Sequence, residues 1–230
     1  MALTYRTAGE SHGPALIALI EGLPAGLTLT PDDIDGDLAR RQLGYGRGGR
    51  MKIETDRVQV KSGIRHGMTL GSPVALEIIN KDFKNWEADR MAIWEPESPV
   101  DPITVPRPGH ADQAGMQKYG TRDLRNILER ASARETAARV AAGAVAKALL
   151  RRFGIELRSH VVRIGEVAVP LRDDLTLADF EGVDASPVRC LDADASEQMK
   201  AAIKAAGQGH DTLGGVFEVW AFGASPRPAA

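Results

Sequence analysis

At 230 residues, 43% hydrophobic and 26% charged, the chain has the composition of an ordinary globular protein and the length to bury a substantial core. Its net charge of −2 excludes a protein whose main task is to coat nucleic acid, and its one cysteine, Cys190, excludes a disulfide framework or a cysteine metal site. The start M-A-L-T-Y-R carries no apolar signal core and no apolar run approaches spanning length, so the expectation is a cytoplasmic protein without a membrane contact.

Taken in chain order, residues 14–29 hold an apolar run from Ala15 to Ile20, a P-A-G turn signal at 24–26 and then L-T-L-T, which reads as a hairpin. Thr30 follows as a helix cap, with Pro31 at the first helical position, Asp32 and Asp33 in the first turn, and Ile34 and Leu38 as the buried stripe. Arg40, Arg41, Arg47 and Arg50 come next among glycines 44, 46, 48 and 49. Residues 57–64 and 73–79 read as strands, and five prolines between 94 and 109 require a loop. Ser132 and Glu135 have the spacing of a capping box ahead of an alanine-rich helix to Phe153, stopped by Gly154. A strand at 159–170, a helix at about 195–206 with Asp194 and Glu197 at its start and Gly207 as its stop, and a strand at 213–222 complete the pattern. Strands come in runs between long helices, without regular βαβ alternation. That predicts an α+β fold with antiparallel sheets, in a single domain over 1–230.

Two histidine islands stand out from this frame. Residues 8–14 read A-G-E-S-H-G-P and residues 107–112 read R-P-G-H-A-D, so His12 and His110 both sit among small, turn-forming residues rather than in a core pattern. Such histidines can give or take a proton near neutral pH. Asp112 either orients the His110 ring or ends the turn. The helix start at Ser132, flanked by Arg130 and Arg134, offers free N–H groups and a positive dipole end to an anion; an ordinary capped helix with solvated arginines explains the same segment without function. Arginine outnumbers lysine by 21 to 8, which suits phosphate and carboxylate ligands. A GC-rich genome accounts for the total as well, but not for the clusters.

Other motifs carry less. The stretch G-Y-G-R-G-G-R at 44–50 is a single short copy in a chain with 5% aromatics, so a basic loop over a small anion fits better than an RNA-binding repeat. No apolar strand precedes its glycines, which removes a dinucleotide-binding reading. His66, His160 and His210 lack metal-ligand spacing and read as structural or surface residues, and no metal is expected.

In this order, several segments closely resemble the chorismate synthase family. They are T-A-G-E-S-H-G-P (7–14), A-R-R-Q-L-G-Y-G-R-G (39–48), S-G-I-R-H-G (62–67), G-S-P-V-A-L (71–76), R-P-G-H-A-D (107–112), K-Y-G-T-R-D-L-R-N (118–126) and L-E-R-A-S-A-R-E-T-A-A-R-V-A-A-G-A-V-A (128–146). The likeness runs from residue 3 to about residue 223.

The resemblance implies an FMN-dependent carbon–oxygen lyase that eliminates phosphate from 5-enolpyruvylshikimate 3-phosphate. It implies that His110 protonates the departing phosphate and that His12 acts beside the flavin. Arg130, Ala131 and Ser132 match the tripeptide that contacts FMN, with Ala131 where serine is common. Arg41 and Arg47 match a pair for NADPH or substrate, and Ser11, Arg107 and Arg134 join them as substrate contacts. It further implies reduced FMN as cofactor, NADPH as a reductant, helices packed between antiparallel sheets, and a homotetramer. Family members continue well beyond the strand that ends near Gly223. The expectation from that difference is a chain truncated there, with part of the packing surface of its 132–153 helix uncovered. Such a chain would bind flavin weakly and form no chorismate, leaving an anion- and flavin-binding remnant as the second reading.

Overall fold

A computed structural model describes residues 2–46, 55–86, 90–94 and 100–224. Among these the strands are β1 (Thr4–Ala8), β2 (Ala15–Glu21), β3 (Ala25–Thr28), β4 (Val58–Ser62), β5 (Ile64–Arg65), β6 (Met68–Leu70), β7 (Val74–Ile79), β8 (Glu156–Ile164), β9 (Val167–Ala168) and β10 (Gly215–Phe222). The α-helices are α1 (Pro31–Gln42), α2 (Asp112–Tyr119), α3 (Arg125–Leu128), α4 (Thr136–Arg151) and α5 (Ala193–Gln208). Every strand pair is antiparallel, so the class is α+β, as the pattern predicts. The chain divides into two compact units, Met1–Leu38 with Glu54–Val145 and Ala39–Ile53 with Ala146–Ala230; two of the three boundaries fall inside α1 and α4.

Alternation builds the main sheet of the first unit, ordered β1-β2-β7-β4. Leu16, Ala18 and Ile20 of β2 are buried, and the register sets them opposite the equally buried Ile78, Leu76 and Val74 of β7. A slip of one residue would turn all six toward the wrong face. α1 begins as expected: Asp33 accepts hydrogen bonds from the Thr30 amide and hydroxyl, and Ile34 and Leu38 are buried. The expected hairpin at 14–29 does not form. β2 pairs with β1 and β7, while β3 joins a second sheet ordered β3-β6-β5. The Thr69 hydroxyl explains the switch, donating to the Pro24 carbonyl at 2.6 Å and accepting from the Leu27 amide at 2.9 Å, which ties the turn to β6. The strand expected over 57–64 likewise breaks at Gly63, where φ is +83° and a Cβ would lie 2.5 Å from the Pro73 carbonyl oxygen. β4 and β5 therefore enter different sheets.

At the 132–153 helix the capping box is half made. Ser132 accepts from the Arg134 amide, but Glu135 turns away to Thr7 and Arg139, so a 3₁₀ turn at Ala133–Glu135 precedes α4. The small residues Ala137, Ala138, Ala141, Ala142, Ala144 and Ala148 are buried, while Gly143 is exposed, with nothing within 4 Å of a Cβ placed there. In the second unit α5 packs on β8 and β9 around Met199, Ala195, Val188 and Cys190. Asp192 rather than Asp194 caps α5, its side chain accepting from the Ala195 amide at 2.7 Å. The run at 159–170 is two strands joined by a tight turn at Gly165. β10 pairs only with β8 among the described residues and exposes Val216, Phe217 and Val219. No helix among the described residues is long and apolar enough to cross a membrane.

Two devices shape the histidine loops. Between β1 and β2, Gly9 has φ +102° and a Cβ there would meet the Ala15 carbonyl oxygen at 2.3 Å. Around His110, Arg107 donates from Nε and Nη2 to both oxygens of Asp112 at 2.9 Å, and its amide adds a third bond at 3.0 Å. Asp112 is fully buried, and these bonds hold its carboxyl down at about 2, with His110 adding a smaller contribution.

Gly9→Ala should lower stability by about 1–3 kcal/mol from backbone strain alone, read as a reduced midpoint in thermal or urea unfolding. An unchanged midpoint would mean the loop relaxes freely. Because the folded carboxyl of Asp112 lies below its ordinary 3.8, its contribution to stability is complete above that pH and disappears as pH falls through about 2. The stability gap between the native chain and Asp112→Asn, measured by urea unfolding, should therefore be widest at neutral pH and close across that acid window. A gap independent of pH would sever the link to the Arg107 pair.

Candidate active site

The loop carrying His12 is stitched from two sides. Asn80, at the end of β7, donates from Nδ2 to the carbonyls of Ser11 at 2.8 Å and Gly13 at 2.9 Å, and its amide donates to Pro14. From the other side comes Glu129, just past α3. Its backbone carbonyl accepts from the Ser11 amide at 3.0 Å, and its carboxylate accepts from the His12 amide at 2.8 Å. The same carboxylate lies 2.9 Å from His12 Nδ1 through both oxygens. Glu129 is 2% exposed, with the Arg125 guanidinium 3.8 Å away to balance its charge. His12 is 16% exposed, and its ring stacks on Trp86 with centroids 3.7 Å apart and planes 25° from parallel. Trp86 is itself held by Nε1 donating to Asp82 at 2.9 Å, and the guanidinium groups of Arg90 and Arg125 lie 5.0 and 5.8 Å from its ring centre.

The tripeptide expected to meet a cofactor adjoins this loop. Ser132 donates from its hydroxyl to that of Ser11 at 3.1 Å. Arg130 donates to the Thr7 carbonyl at 3.0 Å, the Thr7 hydroxyl at 2.8 Å and the Gly9 carbonyl at 3.3 Å, while 40% of its side chain remains exposed. Ala131 is exposed between them. Glu135 lies beneath. Burial pushes its carboxyl up, but hydrogen bonds from Thr7 and Arg139 and the charges of Arg139 and Arg130 outweigh that and leave it lowered. Arg130 thus keeps 40% of its side chain exposed next to the exposed Ala131, and a guanidinium so placed can pair with an anionic ligand.

The remaining expected residues are distributed unevenly. His110 is exposed on the loop closed by Arg107 and Asp112. Asp112 therefore serves the turn, through Arg107, although its charge also interacts with His110. The Arg107 guanidinium is raised by its hydrogen bond to Asp112 and by the charge of that carboxylate. Arg134 is not a solvated flank of the helix end; it is buried, with Nη1 donating to Asp56 at 2.6 Å. Arg41 lies in the last turn of α1, in the second unit. Arg47 and Arg50 fall outside the described residues, as do Pro96 and Pro99.

Sequence reasoning missed Glu129, Trp86 and Asn80. Glu129 had one available signal, its place next to Arg130 in the L-E-R-A-S block. Nothing in the sequence points from Trp86 to His12, because a stacking contact across that separation leaves no periodic trace.

The family model described as chorismate synthase matches residues 3–227. A chorismate synthase from Rubrobacter xylanophilus is 59% identical over 226 residues, covering 98% of this chain and 57% of that protein. One from Salinispora tropica is 55% identical over 236 residues, covering 97% of this chain and 59% of its own length. A crystal structure of chorismate synthase superposes with a TM-score of 0.75 at 40% identity, over 96% of this chain and 58% of that one. The chain thus spans somewhat under three fifths of the relatives it matches. With the histidine loops and the helix-start tripeptide all inside the matched range, the chain belongs to the chorismate synthase family.

Proposed function

We propose that this chain carries the histidine-bearing part of a chorismate synthase, a lyase that removes phosphate from 5-enolpyruvylshikimate 3-phosphate by 1,4-anti elimination. The observation that carries this reading is the 3.1 Å contact between Ser11 and Ser132. It sets the loop bearing His12 against Arg130, Ala131 and Ser132, the tripeptide assigned to FMN. These residues fit one edge of a flavin mononucleotide. Arg130 is anchored through Thr7 and Gly9 yet keeps exposed surface for an anion, and the small side chain of Ala131 leaves room for close approach.

Bound reduced FMN would supply the electron flow needed to loosen the ring hydrogen of the substrate, with no net redox change. The chain's own residues do the rest. His110, exposed on a preshaped loop, donates a proton to the phosphate oxygen as the carbon–oxygen bond breaks and the bonding pair leaves with phosphate, while the ring hydrogen passes as a proton to a base and its C–H electron pair completes the diene. His12 keeps a fixed orientation beside the flavin. Arg107, 44% exposed while paired with Asp112, and Ser11 contribute substrate contacts. Arg134 supports the site from within through Asp56. Arg41 and Arg47 serve substrate or NADPH. The working enzyme is a cytoplasmic homotetramer in this reading.

The test is anaerobic incubation of the 230-residue chain with reduced FMN and substrate, beside the Rubrobacter relative as a reference. Equal release of phosphate and chorismate supports the reading. No release from this chain while the relative turns over would instead favour the second reading, an anion- and flavin-binding remnant. Where turnover is measured, His110→Ala should reduce it by about 10²–10⁴-fold with substrate binding retained, and changes at His66 should do far less. Normal turnover in His110→Ala would remove it as the acid. Flavin titration offers a second measure: Arg130→Ala should weaken FMN binding by about 10- to 100-fold, the scale of one lost charge-assisted hydrogen bond. Unchanged affinity in a folded variant would place the flavin elsewhere.

A further inference from the structure

We propose that Glu129 is the positioning residue of this site, fixing the His12 ring with its hydrogen on Nδ1 and the ring lone pair on Nε2. The proposal rests on the lyase reading only for the use of Nε2; the orientation of the ring stands on its own geometry.

A carboxylate buried to 2% exposure is costly unless its oxygens are satisfied. Those of Glu129 face two donors from one residue, the amide of His12 at 2.8 Å and its Nδ1 at 2.9 Å. An ionised carboxylate only accepts, so Nδ1 must be the donor, and in the neutral ring Nε2 is then the acceptor. Trp86 covers one face of the ring at 3.7 Å and is locked by Asp82, so rotation about the Cβ–Cγ bond is opposed from the face as well as from the edge. A histidine held by a carboxylate at one nitrogen and working through the other follows the logic of orienting groups in acid–base sites. The backbone bond adds a second hold: a shift of Glu129 moves the main chain of the loop together with the ring.

Nitrogen-15 NMR of histidine side chains in the 230-residue chain reads the tautomer directly, with His12→Gln identifying the resonance. The neutral His12 ring should show its hydrogen on Nδ1 and a bare Nε2. In Glu129→Gln the His12 amide, an obligatory donor, claims the amide oxygen and turns the side-chain NH₂ toward Nδ1, so the hydrogen should move to Nε2. A native ring with its hydrogen on Nε2 would overturn the proposal, as would a folded Glu129→Gln that keeps the native tautomer. Should that variant fail to fold, Glu129→Asp retains the charge but withdraws it by one methylene. A mixture of tautomers is then expected, and a single unchanged one would be equally fatal. In the elimination assay Glu129→Gln should lower kcat by on the order of 10²-fold with KM little changed. If the native chain shows the expected tautomer but no turnover, the lyase reading fails and the orientation of His12 stands.

Discussion

One buried negative charge organises the His12 loop of the first unit. Glu129 cannot be solvated where it lies, so everything around it must donate: the His12 amide, the His12 ring, and Arg125 at a slightly longer distance. Meeting that demand draws the loop between β1 and β2 onto the end of α3, although 117 residues separate the two in the chain. Asn80 completes the fastening from β7. The sheet supplies rigidity, but the loop's path follows from satisfying this carboxylate.

The other buried acids are handled in the same way and engage four arginines. Asp112 is paired with Arg107, Asp56 with Arg134, and Glu135 with Arg139 and more loosely with Arg130. Arginine suits these positions because its planar fork can satisfy two oxygens, or a carboxylate and a carbonyl, from one side chain. The cations therefore fall into two groups. Some, such as Arg134, are spent on holding the frame; Arg130 anchors the frame and still presents surface to a ligand.

Local chemistry was legible in the sequence where a few adjacent residues decide the outcome. Thr30 and Pro31 mark the start of α1, Gly154 follows α4, and alternating apolar residues define β2 and β7. The class followed from the same periods. The sequence failed where a distant partner decides. Thr69 diverts the turn at Pro24 into another sheet, and Thr7 and Arg139 draw Glu135 out of its capping box. The site divided along the same line. The two histidine loops stand out as islands of small residues, whereas Glu129 and Trp86 act through contacts that no local pattern records. Arg134 looked like a surface cation because its partner, Asp56, lies 78 residues earlier.

The two histidine loops also differ in when they can take shape. Arg107 and Asp112 are five residues apart, and a segment of that length closes on a timescale of about 10–100 ns, before any sheet need exist. The turn around His110 is thus accessible to the unfolded chain as a transient conformation. His12 has no such local route, since its ring is ordered only when α3 has reached the strands and the entropy of that long loop has been surrendered. Folding therefore orders the two histidine loops by routes of different range, a five-residue closure around His110 and a closure across more than a hundred residues at His12.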